Sequence, residues 1–204
     1  MNYDDFIKTK QYQHIDAGFD ASGMRLPELI KNFQRDLVLW AAKRGRSAIF
    51  ADTGLGKTLM QLTWANLVAD YTGKPVLLLA PLCVAQQTVN EGQKFGIDAQ
   101  YMREPQATGC MIHVANYEML KNFSADNYAG IVLDESSILK GMTGKLRKTI
   151  TDFAKTIPYR LSCTATPSPN DFMELGTQSE FLGVMSQVEM LATFFIHDGS
   201  DTSK

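Results

Sequence analysis

Short apolar runs alternate with longer stretches of mixed polarity along most of the chain. The strand-like runs lie at 47–50, 76–80, 110–115, 130–134 and 159–165. Helix-like stretches lie at 28–43, 59–69, 117–123 and 144–155, and another ends at Phe95. Continuous apolar strands separated by helices are typical of a parallel sheet that is covered on both faces. We therefore expect an α/β fold with a mostly parallel sheet, in which ligands bind where the carboxyl ends of the strands open.

The length, composition and net charge limit the number of domains and the means of contact with nucleic acid. The chain has 204 residues, 45% of them apolar, which is enough to bury one sizeable core, so a single domain is the default expectation. The net charge is −2, and contact with nucleic acid would therefore depend on local basic clusters. The candidate clusters are Lys43, Arg44 and Arg46, and Lys140, Lys145, Arg147 and Lys148. Both clusters are equally compatible with a solvated surface.

The cysteines and the apolar segments indicate the cellular compartment of the protein. The cysteines are an odd, widely spaced set without metal-ligand spacing, namely Cys83, Cys110 and Cys163. This pattern indicates reduced thiols in a cytosolic compartment. The longest apolar stretch, 76–85, is too short to cross a bilayer, and the acidic N-terminus lacks the features of a signal peptide. We therefore expect a cytoplasmic location and no membrane partner.

The sequence ADTGLGKT, which begins at Ala51, stands between a strand-like run and a helix-like stretch. Gly54 and Gly56 allow the backbone to curl so that successive N–H groups point inward, and the following helix presents its positive N-terminal end to the same anion. Such a loop fits a nucleotide triphosphate, with Lys57 at the β- and γ-phosphates and the Thr58 hydroxyl on Mg²⁺. Ala51 replaces the first glycine of the usual pattern, and a simple glycine turn is the alternative interpretation.

Two carboxylates follow a later apolar run, as Asp134 and Glu135. Asp134 could hold the Mg²⁺ that bridges the phosphates, and Glu135 could take the proton from a water aimed at the γ-phosphate. An apolar strand that merely enters a turn is the alternative. The position of the pair, beyond a phosphate loop in an alternating chain, favours the catalytic interpretation.

A third group of polar residues follows the last strand-like run, in the sequence SCTATP. Its hydroxylated residues are Ser162, Thr164 and Thr166. Small hydroxyl groups at this place could sense the carboxylates and pass the state of the nucleotide onward. A turn containing Pro167 and Pro169 is the structural alternative.

Six sequence blocks together resemble the Swi/Snf-like branch of superfamily 2 helicases and translocases, particularly the DEAD/DEAH-type helicases of bacteriophages. The blocks, in order, are FQRDLVLWAAKRG, IFADTGLGKT, LLLAPLCVAQQTVNEGQKFG, HVANYEML, IVLDESSILKGMTGKLRKTI and YRLSCTATPSPND. They cover roughly residues 26 to 182. The resemblance implies a RecA-like P-loop NTPase fold, ATP and Mg²⁺ as cofactors, DNA as partner, and a prokaryotic or virus-infected host cell.

The resemblance also implies roles for individual residues. Gln34 matches the glutamine that reads the adenine edge, and Asp134 and Glu135 match the metal-holding and water-activating pair. Ser136 and Ser137 stand where the larger groups of the family have Ala-His or Ala-Asp. The phosphate loop of the family matches Thr53, Gly54, Leu55, Gly56, Lys57 and Thr58.

Nucleic-acid contacts are implied at several further positions. The matching residues are Pro81, Gln86, Gln87, Asn116, Tyr117, Lys140 and Lys145, with Glu118 beside them. Such groups contact phosphates and position a strand without reading its sequence. Gln86 and Gln87 could equally be the polar face of a helix, and Tyr117 could be a packed core aromatic.

We accordingly divide the chain into a helical, adenine-recognising segment at 1–45, a RecA-like ATP-binding lobe at 46–182, and the start of a linker at 183–204. In the family a second RecA-like lobe supplies a catalytic arginine, and this chain has no second set of motifs. We expect binding of Mg-ATP with slow or no hydrolysis, and a second lobe supplied in cis or by a partner.

Two other function classes remain open from the sequence. One is a non-catalytic module that uses the nucleotide or a basic stripe only to dock a partner. The other is a small-molecule kinase with a phosphate loop. Such a kinase would need a lid with arginines and an acceptor pocket, and the segment after Thr166 has neither in recognisable form.

Overall fold

The computed structural model describes residues 16–141, 144–168 and 172–195, without the side chain of Lys140. The first fifteen residues of the predicted N-terminal segment, the polar end of the chain and Pro169 lie outside the described residues. None of the described helices is long and apolar enough to cross a membrane.

A six-stranded sheet forms the centre of the molecule. Its strands are β1 (Arg46–Phe50), β2 (Val76–Ala80), β3 (Gln100–Tyr101), β4 (Ile112–Asn116), β5 (Gly130–Leu133) and β6 (Tyr159–Thr164). The spatial order is β1-β6-β5-β2-β4-β3, and every neighbouring pair is parallel. The predicted α/β fold with a parallel sheet is confirmed.

The described helices precede, connect or follow these strands. They are α1 (Asn32–Arg44), α2 (Lys57–Thr72), α3 (Leu82–Lys94), α4 (Ile138–Gly141), α5 (Gly144–Ala154), α6 (Leu175–Leu182) and α7 (Gln187–Phe194). Short 3₁₀ helices lie at Tyr117–Asn122, Ala125–Asn127 and Phe172–Glu174.

Both faces of the sheet are covered. Strand side chains alternate between the two faces, so Leu78 of β2 packs into one core and Leu77 packs into the other. The first core contains residues of α1, α2 and α3, including Trp64, which is fully buried. The second contains residues of α5 and α6, such as Ile150 and Phe181. The continuous apolar character of the strands follows from this burial on both sides.

Several observed elements differ from the predicted ones. The first helix begins at Asn32, because the chain makes a turn in which the Ile30 N–H donates to Pro27 O. The two-residue strand β3 was not predicted, because it is too short to show a period. No helix was predicted after residue 155, but the chain there forms α6 and α7, which are separate because Gly183 ends α6 with a φ of 68° and Ser186 caps α7.

Strand order brings the candidate chemistry to one edge. β6 lies between β1 and β5, so the phosphate loop after β1 and the carboxylates after β5 flank its carboxyl end. Backbone hydrogen bonds continue the pairing beyond the strands: the Ala51 N–H donates to Thr164 O at 3.2 Å, and the Ser136 N–H donates to Cys163 O at 2.8 Å. Three segments far apart in the sequence are therefore held together by the sheet itself.

A buried arginine joins elements at the opposite edge. Arg160 donates to the carbonyl oxygens of Ile157, Phe181 and Lys155 at 2.8–2.9 Å and is 3% exposed. Burial lowers the pKa of Arg160 to about 10, and the charge of Arg46 acts in the same direction. The guanidinium is still charged at neutral pH and satisfies three carbonyl groups at once.

We expect Arg160→Met to lower the free energy of unfolding by about 3–5 kcal/mol, because three buried acceptors lose their donor. Urea unfolding followed by circular dichroism measures the change. Arg46→Met is the matched control: Arg46 pairs with Arg160 in the sheet register but makes only an exposed bond to Pro158 O, so we expect a loss below about 1 kcal/mol. Equal stability of Arg160→Met and the wild-type chain would contradict this assignment.

Candidate functional site

The loop between β1 and α2 has the backbone of an anion site. Gly54 and Gly56 have φ values of 83° and 77°, in the left-handed region that favours glycine. Gly56 is the N-cap of α2, and the first N–H groups of a helix have no acceptor within it. The Lys57 Nζ lies over the loop and donates to Ala51 O at 3.0 Å and Asp52 O at 3.3 Å. Backbone N–H groups, a helix N-terminus and an ammonium group are therefore available together for a phosphate.

Gln34 of α1 holds this loop from the side. Its Nε2 donates to Leu55 O at 2.8 Å, and its Oε1 accepts from the Lys31 N–H at 2.9 Å. The side chain is 4% exposed, so Gln34 is not an ordinary exposed helix residue. A Cβ at Gly56 would stand 2.3 Å from Gln34 Nε2, which shows how closely the two approach. The contact of Gln34 with adenine stays a prediction.

Asp134 follows β5 and is largely buried. Its Oδ1 accepts from Gln61 Nε2 at 2.7 Å and from the Glu135 N–H at 3.0 Å. Its Oδ2 receives no hydrogen bond from any residue that the structure describes. Burial raises the pKa of Asp134, and the hydrogen bond from Gln61 acts in the opposite direction. Carboxylate and hydroxyl oxygens, such as those of Asp134 and Thr58, suit Mg²⁺, which takes one or two protein oxygens and completes its shell with water and phosphate.

Glu135 is held in an unusual backbone conformation. Its φ of 50° is the only positive value at a non-glycine residue in the described ranges, and such strain is typical of functional sites. Glu135 Oε1 accepts from Ser137 Oγ at 2.7 Å and from Thr164 Oγ1 at 2.9 Å. Thr164 Oγ1 also accepts from the Thr166 N–H at 3.1 Å. Two hydroxyl groups thus orient the carboxylate from opposite sides of the loop.

A buried polar network lies beneath the carboxylates. Ser162 Oγ donates to Gln178 Oε1 and lies 2.9 Å from Ser136 Oγ, from which it can accept a hydrogen bond. Gln178 Nε2 donates to Ser136 Oγ at 3.0 Å. The network connects the turn after Glu135, strand β6 and helix α6. Of the predicted coupling residues, Thr164 contacts Glu135, Thr166 contacts Thr164, and Ser162 contacts Ser136.

The candidate nucleic-acid residues on α3 are at the surface. Pro81 is half-buried at the start of the helix, and Gln86 and Gln87 are exposed. The two glutamines form hydrogen bonds along the helix, to Asn90 Oδ1 at 3.2 Å and Glu91 Oε1 at 3.1 Å. Both side chains are therefore accessible to a ligand, and both also fit the polar face of a helix.

The candidates after β4 are buried instead. Asn116 is buried, and Tyr117 is 4% exposed and donates from its hydroxyl to Asp134 O at 2.5 Å. Burial raises the pKa of Tyr117 well above its usual range, and the nearby carboxylates act in the same direction. The tyrosine ring therefore belongs to the core and supports the carboxylate turn. Lys145 is exposed at the start of α5, and the side chain of Lys140 lies outside the described residues.

Two glutamines were missed by the sequence reasoning. Gln61 is a polar residue within an apolar stretch, one helical turn beyond Thr58, and this exception to the pattern could have drawn attention to it. Gln178 lies in a mixed segment where no pattern distinguishes it from a surface glutamine. Its burial depends on how α6 packs against β6.

Comparison with known proteins gives one sequence relative. Protein p41 of Acyrthosiphon pisum secondary endosymbiont phage 1 is 31% identical over 162 residues, which are 67% of this chain and 35% of that protein. Its name says nothing about its activity. No protein-family model matches the chain.

Solved structures share the fold. The Sulfolobus solfataricus SWI2/SNF2 ATPase core in complex with dsDNA aligns with 89% of this chain at a TM-score of 0.69 and 20% identity. The UvsW helicase from bacteriophage T4 aligns with 89% at a TM-score of 0.62 and 14% identity. At such identities the likeness shows the fold, which is that of a RecA-like helicase core. The chain spans 41% of the Sulfolobus protein and 35% of the phage relative.

We expect Gly56→Ala to weaken binding of a fluorescent ATP analogue at least about tenfold, because a Cβ in the left-handed region is strained and displaces Gln34 from the loop. Gly73→Ala at the other end of α2 is the control: its φ is 66°, but no atom lies within 4 Å of the added carbon. That variant should lose about 1–2 kcal/mol of stability and keep its affinity for the analogue. Unchanged binding by Gly56→Ala would contradict the role of this loop.

Proposed function

We propose that the chain is the ATP-binding lobe of a nucleic-acid-dependent ATPase in the Swi/Snf-like branch of superfamily 2. Joined to a second RecA-like lobe, it would couple hydrolysis of Mg-ATP to movement on DNA. The observation that carries this proposal is the hydrogen bond between Thr164 and Glu135, at 2.9 Å, at the strand end that separates the phosphate loop from the carboxylates. All three sequence blocks with candidate chemistry meet there.

Phosphate binding is assigned to the loop and the start of α2. With ATP bound, Lys57 would release the loop carbonyl oxygens and bind the β- and γ-phosphates. The backbone N–H groups after Gly54 would donate hydrogen bonds to the phosphate oxygens. The Thr58 hydroxyl and Asp134 Oδ2 would hold Mg²⁺. When bound, Mg²⁺ neutralises charge that develops on the phosphate oxygens.

Glu135 is assigned the role of general base. Its Oε1 is occupied by hydroxyl groups of Ser137 and Thr164, which leaves the other carboxylate oxygen to accept a proton from water. Because Thr164 also binds the Thr166 N–H, a change at the carboxylate would move the segment after β6. Thr164 and Thr166 are therefore proposed as coupling residues, and Ser162 supports them through Ser136.

Contact with DNA is proposed for the exposed groups at the start of α3. Gln86 and Gln87 are exposed, and Pro81 begins the helix whose free N–H groups suit a phosphate. The exposed ammonium group of Lys145 is also proposed to contact a DNA phosphate. The Sulfolobus SWI2/SNF2 ATPase core, which has a similar fold, was solved in complex with dsDNA, and this supports DNA as the partner. With a net charge of −2, binding by this lobe alone should be weak and salt-dependent.

We expect the chain on its own to bind Mg-ATP but to turn it over slowly, because the arginine that stabilises the transferring phosphate is proposed to come from a second lobe. Such an arginine is worth about 10³ to 10⁵ in rate. The measurement is phosphate release with Mg²⁺, with and without single- and double-stranded DNA, beside calorimetric binding in the same buffer.

The test variant for this measurement is Glu135→Gln. Its matched control is Glu104→Gln, because Glu104 is an exposed glutamate in a loop. Both should bind Mg-ATP as the wild-type chain does, and Glu135→Gln should remove any residual turnover. Turnover at motor-like rates that disappears in Glu135→Gln would show that no second lobe is needed, and this part of the proposal would be wrong.

Lys57→Ala separates an ATP-dependent lobe from a docking module that ignores nucleotide. We expect at least about a hundredfold loss of ATP affinity, because the charge aimed at the β- and γ-phosphates is removed. Lys74→Ala, which removes an exposed charge beyond the end of α2, should leave the affinity within about twofold of wild type. DNA binding that stays insensitive to ATP in both wild type and Lys57→Ala would favour the docking module.

A further inference from the structure

We propose that Gln61 is a positioning residue that orients the Asp134 carboxylate for a divalent cation. The sequence analysis assigned Gln61 no role, and its side-chain amide donates to Asp134 rather than to the phosphate loop. The inference rests on the proposed function, because it concerns the metal ligand of that same site. It adds a link between the helix that follows the phosphate loop and the strand that carries the carboxylates.

The geometry begins with helix α2. Gln61 lies three residues after Thr58, close to one full turn, so both side chains project from the same side of the helix. Gln61 is fully buried, and its Nε2 stands 2.7 Å from Asp134 Oδ1. The bond joins positions 73 apart in the sequence. The proposed metal ligands, the Thr58 hydroxyl and Asp134, are thereby tied to each other through one amide.

The same contact selects which carboxylate oxygen remains available. Asp134 Oδ1 accepts from both Gln61 Nε2 and the Glu135 N–H. Both donors bind the same oxygen, and they fix the rotation of the carboxylate about its last bond. Oδ2 receives no hydrogen bond from the described residues and is left as the oxygen for a cation. Mutation of a residue that orients a metal ligand in this way commonly lowers metal affinity 10–100-fold.

An unsatisfied atom indicates why an amide stands here. Gln61 Oε1 is buried and has no hydrogen-bond partner among the described residues. A buried acceptor without a donor costs about 1–3 kcal/mol, so an apolar side chain would suit packing alone better. Rotating the amide would not help, because Oε1 would then face the carboxylate oxygen of Asp134, and two acceptors repel. The N–H end of the amide, which donates to Asp134 Oδ1 and also lies against the Cys163 thiol, is thus the polar part of the side chain that has partners among the described residues.

Helix α2 also supplies a matched control. Thr63 is 1% exposed, and its Oγ1 is likewise buried without a partner in the described structure. Thr63→Val therefore removes a buried, unpaired polar atom from the same helix without touching Asp134. Gln61→Met keeps the length and volume of the side chain and removes only the amide. Gln61→Leu is a second variant with a shorter apolar side chain.

The test uses Mn²⁺ as the metal and a non-hydrolysable ATP analogue as the ligand. Electron paramagnetic resonance of free Mn²⁺ gives the metal affinity at saturating analogue, and fluorescence titration in EDTA gives the metal-free affinity for the analogue. We expect Gln61→Met to bind Mn²⁺ about 10–100-fold more weakly and to bind the metal-free analogue within about twofold of wild type. Thr63→Val should match wild type in both titrations.

Other outcomes separate the two proposals. If wild type and folded Gln61→Met bind Mn²⁺ equally in the presence of the analogue, the role of Gln61 is wrong and the ATP-binding function stands. If Gln61→Met loses affinity for Mn²⁺ and for the metal-free analogue alike, Gln61 is a structural residue and the inference also fails. If the wild-type chain binds neither, the proposed function fails and this inference fails with it. Should circular dichroism show Gln61→Met unfolded, Gln61→Leu decides by the same criteria.

Discussion

The parallel pairing of β6 with β1 on one side and β5 on the other is the constraint on which the site depends. Because the three strands run in the same direction, the segments that follow them open at one edge of the sheet. Ala51 N–H and Ser136 N–H extend this pairing past the strand ends, at Thr164 O and Cys163 O. The phosphate loop and the carboxylate turn are therefore both anchored to strand β6, which fixes their relative positions more rigidly than a contact between two loops would.

Around that edge, polar side chains are organised in pairs that hold the carboxylates from different directions. Gln61 reaches Asp134 from α2, while Thr164 reaches Glu135 from the end of β6. Tyr117 supports the same turn through Asp134 O. Low dielectric strengthens such hydrogen bonds and makes a lost partner costly, so the carboxylate positions are closely determined before any ligand arrives. Preorganisation of this kind suits phosphoryl transfer, in which positioning and electrostatics do most of the work.

Much of the fold could be predicted from the sequence because buried parallel strands leave a strong signal. The runs at 76–80 and 130–134 are apolar at nearly every position, and the structure places both in the middle of the sheet. The weak points were short or capped elements: β3 has two residues, and the division between α6 and α7 depends on the conformation of Gly183. Periodicity says little about a two-residue strand or about one glycine turn.

The kind of chemistry available can be read from the sequence alone: it has a glycine-rich loop ending in Lys57 and Thr58, and two carboxylates after an apolar strand. Those patterns are local, and local backbone physics explains them. Only the tertiary structure decided the partners of each group, such as Gln61 with Asp134 and Gln178 with Ser136 and Ser162. These contacts join residues on different elements, and their geometry depends on helix packing and strand register, which no short window of sequence specifies.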